Sequence, residues 1–594
     1  DVYKRQTYTL SLNQDLSMIT KGLRINMQGA YTQDSYFTET RYLLPELWYY
    51  TGRDNNYNLT GTRQSVKQSV SYSKSDFSYR KYFFQATMNW AREFGQGHSL
   101  SALVHYEMSD QKKSKDATGT MSAIPIRYQG LSSKVGYNYN DIYLLDANFG
   151  YTGSENFQPG RQFGFFPSVS AGWVPSCYQW VKNNMEWLDY FKIRASYGLV
   201  GNDRITNKRF PYLTQIDATT ETLRTLGWNY PGIGYNEAVI GADNLKWEKA
   251  KKFDVGVEGK LFGNKIDFVI DFFRDTRDGI FQQRRQVPDF VGLISMPYGN
   301  VGSMRSWGSD GNIAFTQRIN KDTEFTIRGN FTYSTNKVKY FEEADTKYEY
   351  ASSSGRPNGY QKGYIALGLF KNQEEINNSP KQSFGVYQPG DIKYKDINGD
   401  GIINSDDQVP LSYSNYPRLS YGFGGEFRYK SLTIGVRFTG IGNTDYYRIG
   451  SGNEVGYMPF NSKEYGNILT IAADPNNRWI PADYNDPSIP ANMRENSNAI
   501  FPRLSYGANT NNSQRSTFWK ANRKYLKLDE ISVYYNLKNR YLKSAGINSI
   551  DLAVVANALH TWDNVKLFDP ELATSNGLAY PIPGRISFQA IIHF

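Results

Sequence analysis

Long hydrophobic runs are missing from this chain. Nowhere in its 594 residues do eighteen apolar residues stand together, so it contains no helical membrane span. A single cysteine, Cys177, excludes an internal disulfide framework and reads as a packing residue. The four histidines, His98, His105, His560 and His593, show no metal-ligand spacing and read as solvated or structural. There is no G-x-S-x-G elbow, no P-loop and no G-x-G-x-x-G between a strand and a helix; Gly422-Phe423-Gly424-Gly425 lies inside an alternating segment instead. Paired acids such as Glu342-Glu343 and Glu374-Glu375 fall in loops and read as solvated carboxylates. No catalytic constellation emerges, and the chain is not expected to be an enzyme. The net charge of +10 is spread along the sequence rather than blocked, which argues against a nucleic-acid surface. No repeat of fixed period and no helical heptad occurs. The chain opens on Asp1 with neither Met nor a charged-then-apolar leader, so it is expected to be an N-terminally truncated fragment whose leader is cleaved or missing. Its first six residues resemble translated adapter sequence.

Aromatic residues, by contrast, are plentiful. Tyr 47, Phe 34 and Trp 11 bring the aromatic share to 15%, yet hydrophobic residues reach only 39%. A chain that is aromatic and polar together fits a large membrane barrel, whose outer wall needs aromatic belts while its lumen and loops stay wet. The C-terminus carries the clearest pattern. Ile586, Phe588, Ala590, Ile592 and Phe594 fall on one face of an extended strand, with Arg585, Ser587, Gln589 and His593 on the other. This is the closing strand expected of a transmembrane barrel, its last residue suited to an aromatic girdle. A half-buried strand of a soluble sandwich has the same alternation, and the rest of the chain has to decide between them.

It does so through the spacing of its turns. Phe253, Val255, Val257 and Leu261 alternate with polar residues up to Gly263-Asn264, and Ile266, Phe268, Ile270 and Phe272 alternate beyond it. Tyr421, Phe423, Phe427 and Tyr429 precede a second break near Lys430, followed by Leu432, Ile434, Val436 and Phe438. Further short turns fall at Gly95-Gln96-Gly97, Asn140-Asp141 and Asn320-Lys321-Asp322, while long polar stretches occupy 202–246, 339–411 and 450–517. Short and long connections therefore alternate, as they do in outer-membrane barrels with short periplasmic turns and long outer loops. The pattern predicts roughly seventeen strands in one all-β, antiparallel transmembrane barrel domain over 1–594. A barrel of that size has a lumen too wide for side chains to fill, which calls for water or a plug.

One loop has the pattern of a metal site. Asp396-Ile397-Asn398-Gly399-Asp400-Gly401-Ile402-Ile403-Asn404-Ser405-Asp406-Asp407 matches an acidic calcium loop, with Asp where position 12 is usually Glu. Hard Ca²⁺ takes oxygen ligands; Asp396, Asn398, Asp400 and Asp407 would give side chains, Ile402 a carbonyl and Asn404 a direct or water-mediated ligand. The same residues also suit an Asx-rich turn without metal.

Several phrases, taken in order, are similar to the SusC-like class of TonB-dependent outer-membrane transporters. They are Gly164-Phe165-Phe166-Pro167-Ser168-Val169-Ser170-Ala171-Gly172-Trp173, Lys192-Ile193-Arg194-Ala195-Ser196-Tyr197-Gly198 with Gly201-Asn202, and Leu245-Lys246-Trp247-Glu248. Gly390-Asp391-Ile392-Lys393-Tyr394, Tyr525-Leu526-Lys527-Leu528 and Pro581-Ile582-Pro583 follow. The resemblance implies a 22-stranded, plugged barrel in the outer membrane, with the plug, the TonB-contacting segment and the first strands absent from this sequence. It also implies active import of an oligosaccharide, peptide or other large nutrient. The implied partners are the TonB complex, a SusD-like surface lipoprotein, outer-membrane lipid and, through the last strand, the barrel-assembly machinery. Tyr348, Tyr350 and Tyr360 could stack on sugar rings or serve as ordinary loop anchors. The competing reading is a passive porin or structural adhesin barrel without energy coupling.

Overall fold

The computed structural model describes the chain apart from residues 1, 43–47, 55–58, 64–70, 114–123, 205–208, 220–222, 226–227, 231–233, 243, 294, 345, 414–415, 449–469, 497, 506–508, 545, 567–568 and 573–579. Part of the expected loop 450–517 lies outside the described residues. Seventeen strands form one sheet, the number expected from the sequence. In chain order they are β1 (Val2–Asp15), β2 (Leu23–Tyr42), β3 (Ser71–Phe94), β4 (His98–Lys113), β5 (Ile126–Tyr139) and β6 (Tyr143–Ser154). Next come β7 (Phe163–Trp173), β8 (Leu188–Asn202), β9 (Glu248–Leu261), β10 (Ile266–Gln283), β11 (Tyr298–Arg318) and β12 (Thr323–Tyr340). The series ends with β13 (Leu419–Tyr429), β14 (Leu432–Gly442), β15 (Tyr525–Leu537), β16 (Ser549–Asp563) and β17 (Arg585–His593). Each pairs antiparallel with its neighbours in sequence, so the topology is an up-and-down meander. Among the described residues no register joins β1 to β17, so the last strand is paired on one side only.

Register places the apolar residues on one face. Val255 stands opposite Phe272, Val257 opposite Ile270 and Gly259 opposite Phe268, while Gly256 meets Asp271 and Lys260 meets Asp267 on the other side. Val554–Phe588 and Ala556–Ile586 repeat the arrangement in the last hairpin. The apolar face is bare. Phe253 is 48% exposed, Phe272 57% and Phe588 78%, within a band that runs from strand to strand. A soluble monomer does not expose an apolar band of this extent, whereas hydrocarbon covers it in a membrane. The soluble-sandwich alternative fails on this face.

The connections sort by end. Turns at 95–97, 140–142, 262–265, 319–322 and 430–431 lie at one end, and the connections 203–247, 341–418 and 443–524 lie at the other. Asn140 and Asp141, at φ 52° and 59°, adopt the left-handed conformation and with Ile142 form the three-residue turn between paired Tyr139 and Tyr143. Trp187 and Phe262, 6.1 Å apart, and exposed Trp173 and Trp180 ring the short-turn end. Tyr8, Tyr31 and Tyr82, cross-strand neighbours with ring centroids 6.5 and 5.0 Å apart, mark the outer limit of the apolar band. The first outer connection has its expected length shifted by one residue, the second starts two residues later than expected and runs seven further, the third is longer at both ends, and the connection 43–70, which no long polar stretch announced, is also long.

Candidate functional site

The two described hydrophobic clusters lie in the outer loops and at the outer ends of the strands they join. One cluster joins Phe157, Ala242, Leu245 and Phe281, with Trp247 and Tyr298 packed against it. Trp247 lies 5.1 Å from the Phe157 ring and 5.2 Å edge-on from Phe166, and its indole N–H donates to the Gln162 carbonyl at 3.2 Å. Glu248 is buried; its carboxylate accepts from Asn202 Nδ2 at 2.8 Å and from the Phe281 N–H at 2.9 Å. Three phrases distant in sequence, at 164–173, 201–202 and 245–248, thus meet in one staple at the outer ends of β7, β8, β9 and β10.

The second cluster builds a cap from the connections 341–418 and 443–524. Tyr364, Ile392, Tyr394, Ile403, Trp479, Phe501 and Trp519 are all buried in it. A polar network ties the two loops together. Asp391, fully buried, forms an ion pair with the Arg503 guanidinium, from which it accepts one bond at 3.0 Å, and accepts one bond from Asn509 at 3.0 Å, one from Asn512 at 2.8 Å and one from the Gln388 N–H at 2.9 Å. Gln382 donates to Asn511 at 2.6 Å and accepts from the Tyr394 N–H at 2.7 Å, while the Tyr394 hydroxyl donates to the Asn511 carbonyl at 2.7 Å. Burial pushes that hydroxyl's pKa far above the ordinary tyrosine range. Gly390 opens the phrase at φ 86°, and a Cβ there would stand 2.2 Å from the Trp479 ring, so only glycine fits. Arg503, Asn509, Asn511 and Asn512 carried no signal in the sequence, where they are ordinary loop residues.

Two sequence readings are corrected here. Glu342 is not solvated: it is 2% exposed and accepts from Arg284 Nε at 2.7 Å and from the N–H groups of Arg285 and Gln286 at 3.1 and 3.3 Å. Burial disfavours its charge, but the Arg284 guanidinium and the two N–H groups outweigh that and hold its carboxyl below the ordinary range. Glu343 accepts from Ser352 and Ser353, and Glu375 from Lys393 and the Lys371 N–H, so these acids order their loops as well. Carboxylates in loops look alike in sequence whether or not a donor folds back onto them.

The acidic loop is anchored to the cap. Ile403 inserts into the cap core, and the pair Ile402–Ile403 runs parallel to Lys381–Gln382. Asp396 accepts from the N–H groups of Gly399 and Gly401, Asn398 from Asp400, Asp400 from Ile402, and fully buried Asp407 from Ile397 and Asn404. Asn404 and Asp407 close a reciprocal capping box over Ser405–Asp407. All six candidate ligands therefore belong to one closed loop; among the described residues, no three His, Cys, Asp or Glu converge on a metal-sized point. Tyr348 and Tyr350 stack on each other at 5.2 Å, the Tyr350 hydroxyl donates to the Asp406 carbonyl at 2.7 Å, and Tyr360 donates to the Ser352 carbonyl at 3.5 Å.

On the inner face of the wall, Arg194 in β8 reaches Glu258 at 2.8 Å, Asp254 at 3.2 Å and Asp271 at 2.7 Å across β9 and β10. Gly256 leaves the room; a Cβ there would lie 2.2 Å from Asp271 and 2.7 Å from Arg194 Cζ. Further pairs, Arg437 with Asp529 and Glu530 and Arg428 with Glu324, continue this charged surface. A wall apolar outside and ionic inside encloses a polar lumen.

Residues 1–466 match the family model described as TonB dependent receptor-like, beta-barrel. The chain belongs to this family. It is 26% identical over 528 residues to TonB-dependent receptor P26 of Formosa agariphila, covering 82% of this chain and 49% of that protein. It is 22% identical over 508 residues to TonB-dependent receptor SusC of Bacteroides thetaiotaomicron, covering 83% and 46%. It thus spans about half the length of these curated relatives. Among solved structures, the RagAB peptide importer in its closed-closed state superposes with a TM-score of 0.69 at 18% identity, covering 100% of this chain and 62% of that one. This TonB-dependent receptor barrel is of the SusC-like type and resides in the outer membrane.

Proposed function

We propose that the whole protein imports a large nutrient, an oligosaccharide or a peptide, through energy relayed by TonB, with a SusD-like lipoprotein over its outer mouth. The observation that carries this reading is the match of residues 1–466 to the TonB-dependent receptor barrel. The likeness to SusC and to RagAB, named as a peptide importer, supports it. Among the described residues β1 and β17 each pair on one side only, and in hydrocarbon an unpaired strand edge leaves backbone groups unsatisfied, which favours a closed barrel in the whole protein. Coupling is needed because binding alone shifts no equilibrium beyond its differential affinity for the two states. The test is uptake of fluorescent oligosaccharide and oligopeptide pools by cells expressing the full-length protein, with and without a protonophore. Uptake that collapses with the proton-motive force supports the importer; uptake indifferent to it establishes the passive porin.

We further propose that Ca²⁺ stiffens the cap through Asp396, Asn398, Asp400, Ile402, Asn404 and Asp407, an all-oxygen donor set suited to a hard cation. Its role is structural. Calcium should protect 396–407 of the full-length protein from protease, and Asp400→Ala should abolish that protection. Protection unchanged in the variant removes the metal from the loop.

A further inference from the structure

Above the outer tyrosine girdle the wall carries a pairing that costs stability. Arg80 in β3 and Lys112 in β4 stand directly opposite each other in register and are both exposed. Like charges opposite each other repel, and among the described residues neither has a carboxylate partner within ion-pair distance. Arg80 instead lies over the Tyr82 ring at 5.9 Å. One step toward the membrane on the same face, Arg127 of β5 pairs with Asp110 at 3.0 Å and stays exposed. Three cations are thus gathered where the girdle of Tyr31 and Tyr82 meets the headgroup layer.

Directly beneath them the apolar face is hollow. A cavity of about 750 Å³ opens there, lined by Gly29, Tyr82, Phe84, Met108 and Phe163, with the carboxylates of Asp110 and Glu155 at its margin already paired to Arg127 and Arg209. Gly29 has no atom within 4 Å of the position its Cβ would take, so the floor is open at that point. Cations above an apolar groove match an amphiphile with an anionic head. Neither feature alone has this reading: the charged pair invites any anion, and the groove invites any hydrocarbon.

We propose that this part of the outer rim binds a phosphate-headed lipid of the outer leaflet, its phosphate between Arg80, Lys112 and Arg127 and an acyl chain along the groove. Phosphate satisfies several cations at once through charge-assisted hydrogen bonds, which relieves the Arg80–Lys112 repulsion. The site is independent of cargo and of energy coupling. It needs only the barrel in its membrane.

The test is native mass spectrometry of the full-length protein in neutral detergent, with monophosphoryl lipid A as the added probe and its dephosphorylated form and inorganic phosphate as controls. The wild type should retain the phosphorylated lipid and not the dephosphorylated one. The double variant Arg80→Gln, Lys112→Gln should lose affinity roughly thirtyfold, about a factor of five for each cation near a headgroup. Gly29→Leu should weaken lipid retention by filling the groove, and it tests the site without touching a charge. Heat-modifiable migration reports folding of each variant. Equal retention by the double variant and by Gly29→Leu overturns the site, as does equal retention of the dephosphorylated lipid. Retention of inorganic phosphate with no lipid adduct overturns the lipid and leaves only an anion contact.

Discussion

The barrel wall and the cap are held together by opposite means. In the wall each strand needs only its neighbours' backbone and a side-chain period of two, and its apolar residues face outward, toward lipid. In the cap the apolar residues face inward, and buried polar side chains from two connections more than a hundred residues apart in sequence bind each other. The wall therefore tolerates change wherever the face is kept, and the cap tolerates little change anywhere near its polar center. Substitutions in the two regions should separate this difference.

The largest effect is expected in the cap. Asp391→Ala leaves the Arg503 guanidinium, 16% exposed, without its carboxylate, and removing one partner of a buried pair costs about 3–5 kcal/mol. Amide hydrogen exchange should rise across 381–394 and 509–519 while heat-modifiable barrel migration persists. Unchanged exchange in both segments would show that the network does not join the loops.

In the wall, Ile270→Arg places a charge on the lipid face and should cost about 2–4 kcal/mol near midplane. Val269→Arg, one residue away, faces Glu258 and Asn312 across the strands and should assemble normally. Equal yields of folded barrel from the two variants would contradict the assigned faces.

These cases show where the sequence is legible. The faces of β9, β10, β13, β14 and β17 could be read because the period of two is local, and the alternation of short and long connections revealed both ends of the barrel. The cap network was not legible. Asp391 stood in a recognisable phrase, but Arg503, Asn509 and Asn512 lie more than a hundred residues away in a polar stretch with no periodicity. Their roles depend on how the two loops fold together. Glu342 failed for the same reason, since its donors Arg284, Arg285 and Gln286 come from another connection.

Glu342 also gives the comparison a pH axis. Its carboxyl is held below the ordinary value of 4.5, so its contribution is complete above that value and is lost as pH falls through the lower folded value. Protease protection of 284–297 should therefore weaken in acid below the ordinary glutamate range. Glu342→Gln, which keeps the shape but removes the charge, should weaken it by about 1–3 kcal/mol at neutral pH and flatten the acid response. An acid response that survives in the variant would assign it to another group.

The smallest effect tests whether the cap also steadies the acidic loop. Tyr350→Phe removes the single hydroxyl that donates to the Asp406 carbonyl at 2.7 Å while keeping the ring stacked on Tyr348. One neutral hydrogen bond contributes about 0.5–1.5 kcal/mol, so protection of 396–407 should drop modestly and the cap core should stay intact. Asp407 keeps its N–H donors in this variant, and the loop keeps its shape. The change therefore isolates the tether. If protection falls as far as it does in Asp391→Ala, the tyrosine pair supports the cap as a whole and the acidic loop is not a separately tethered unit.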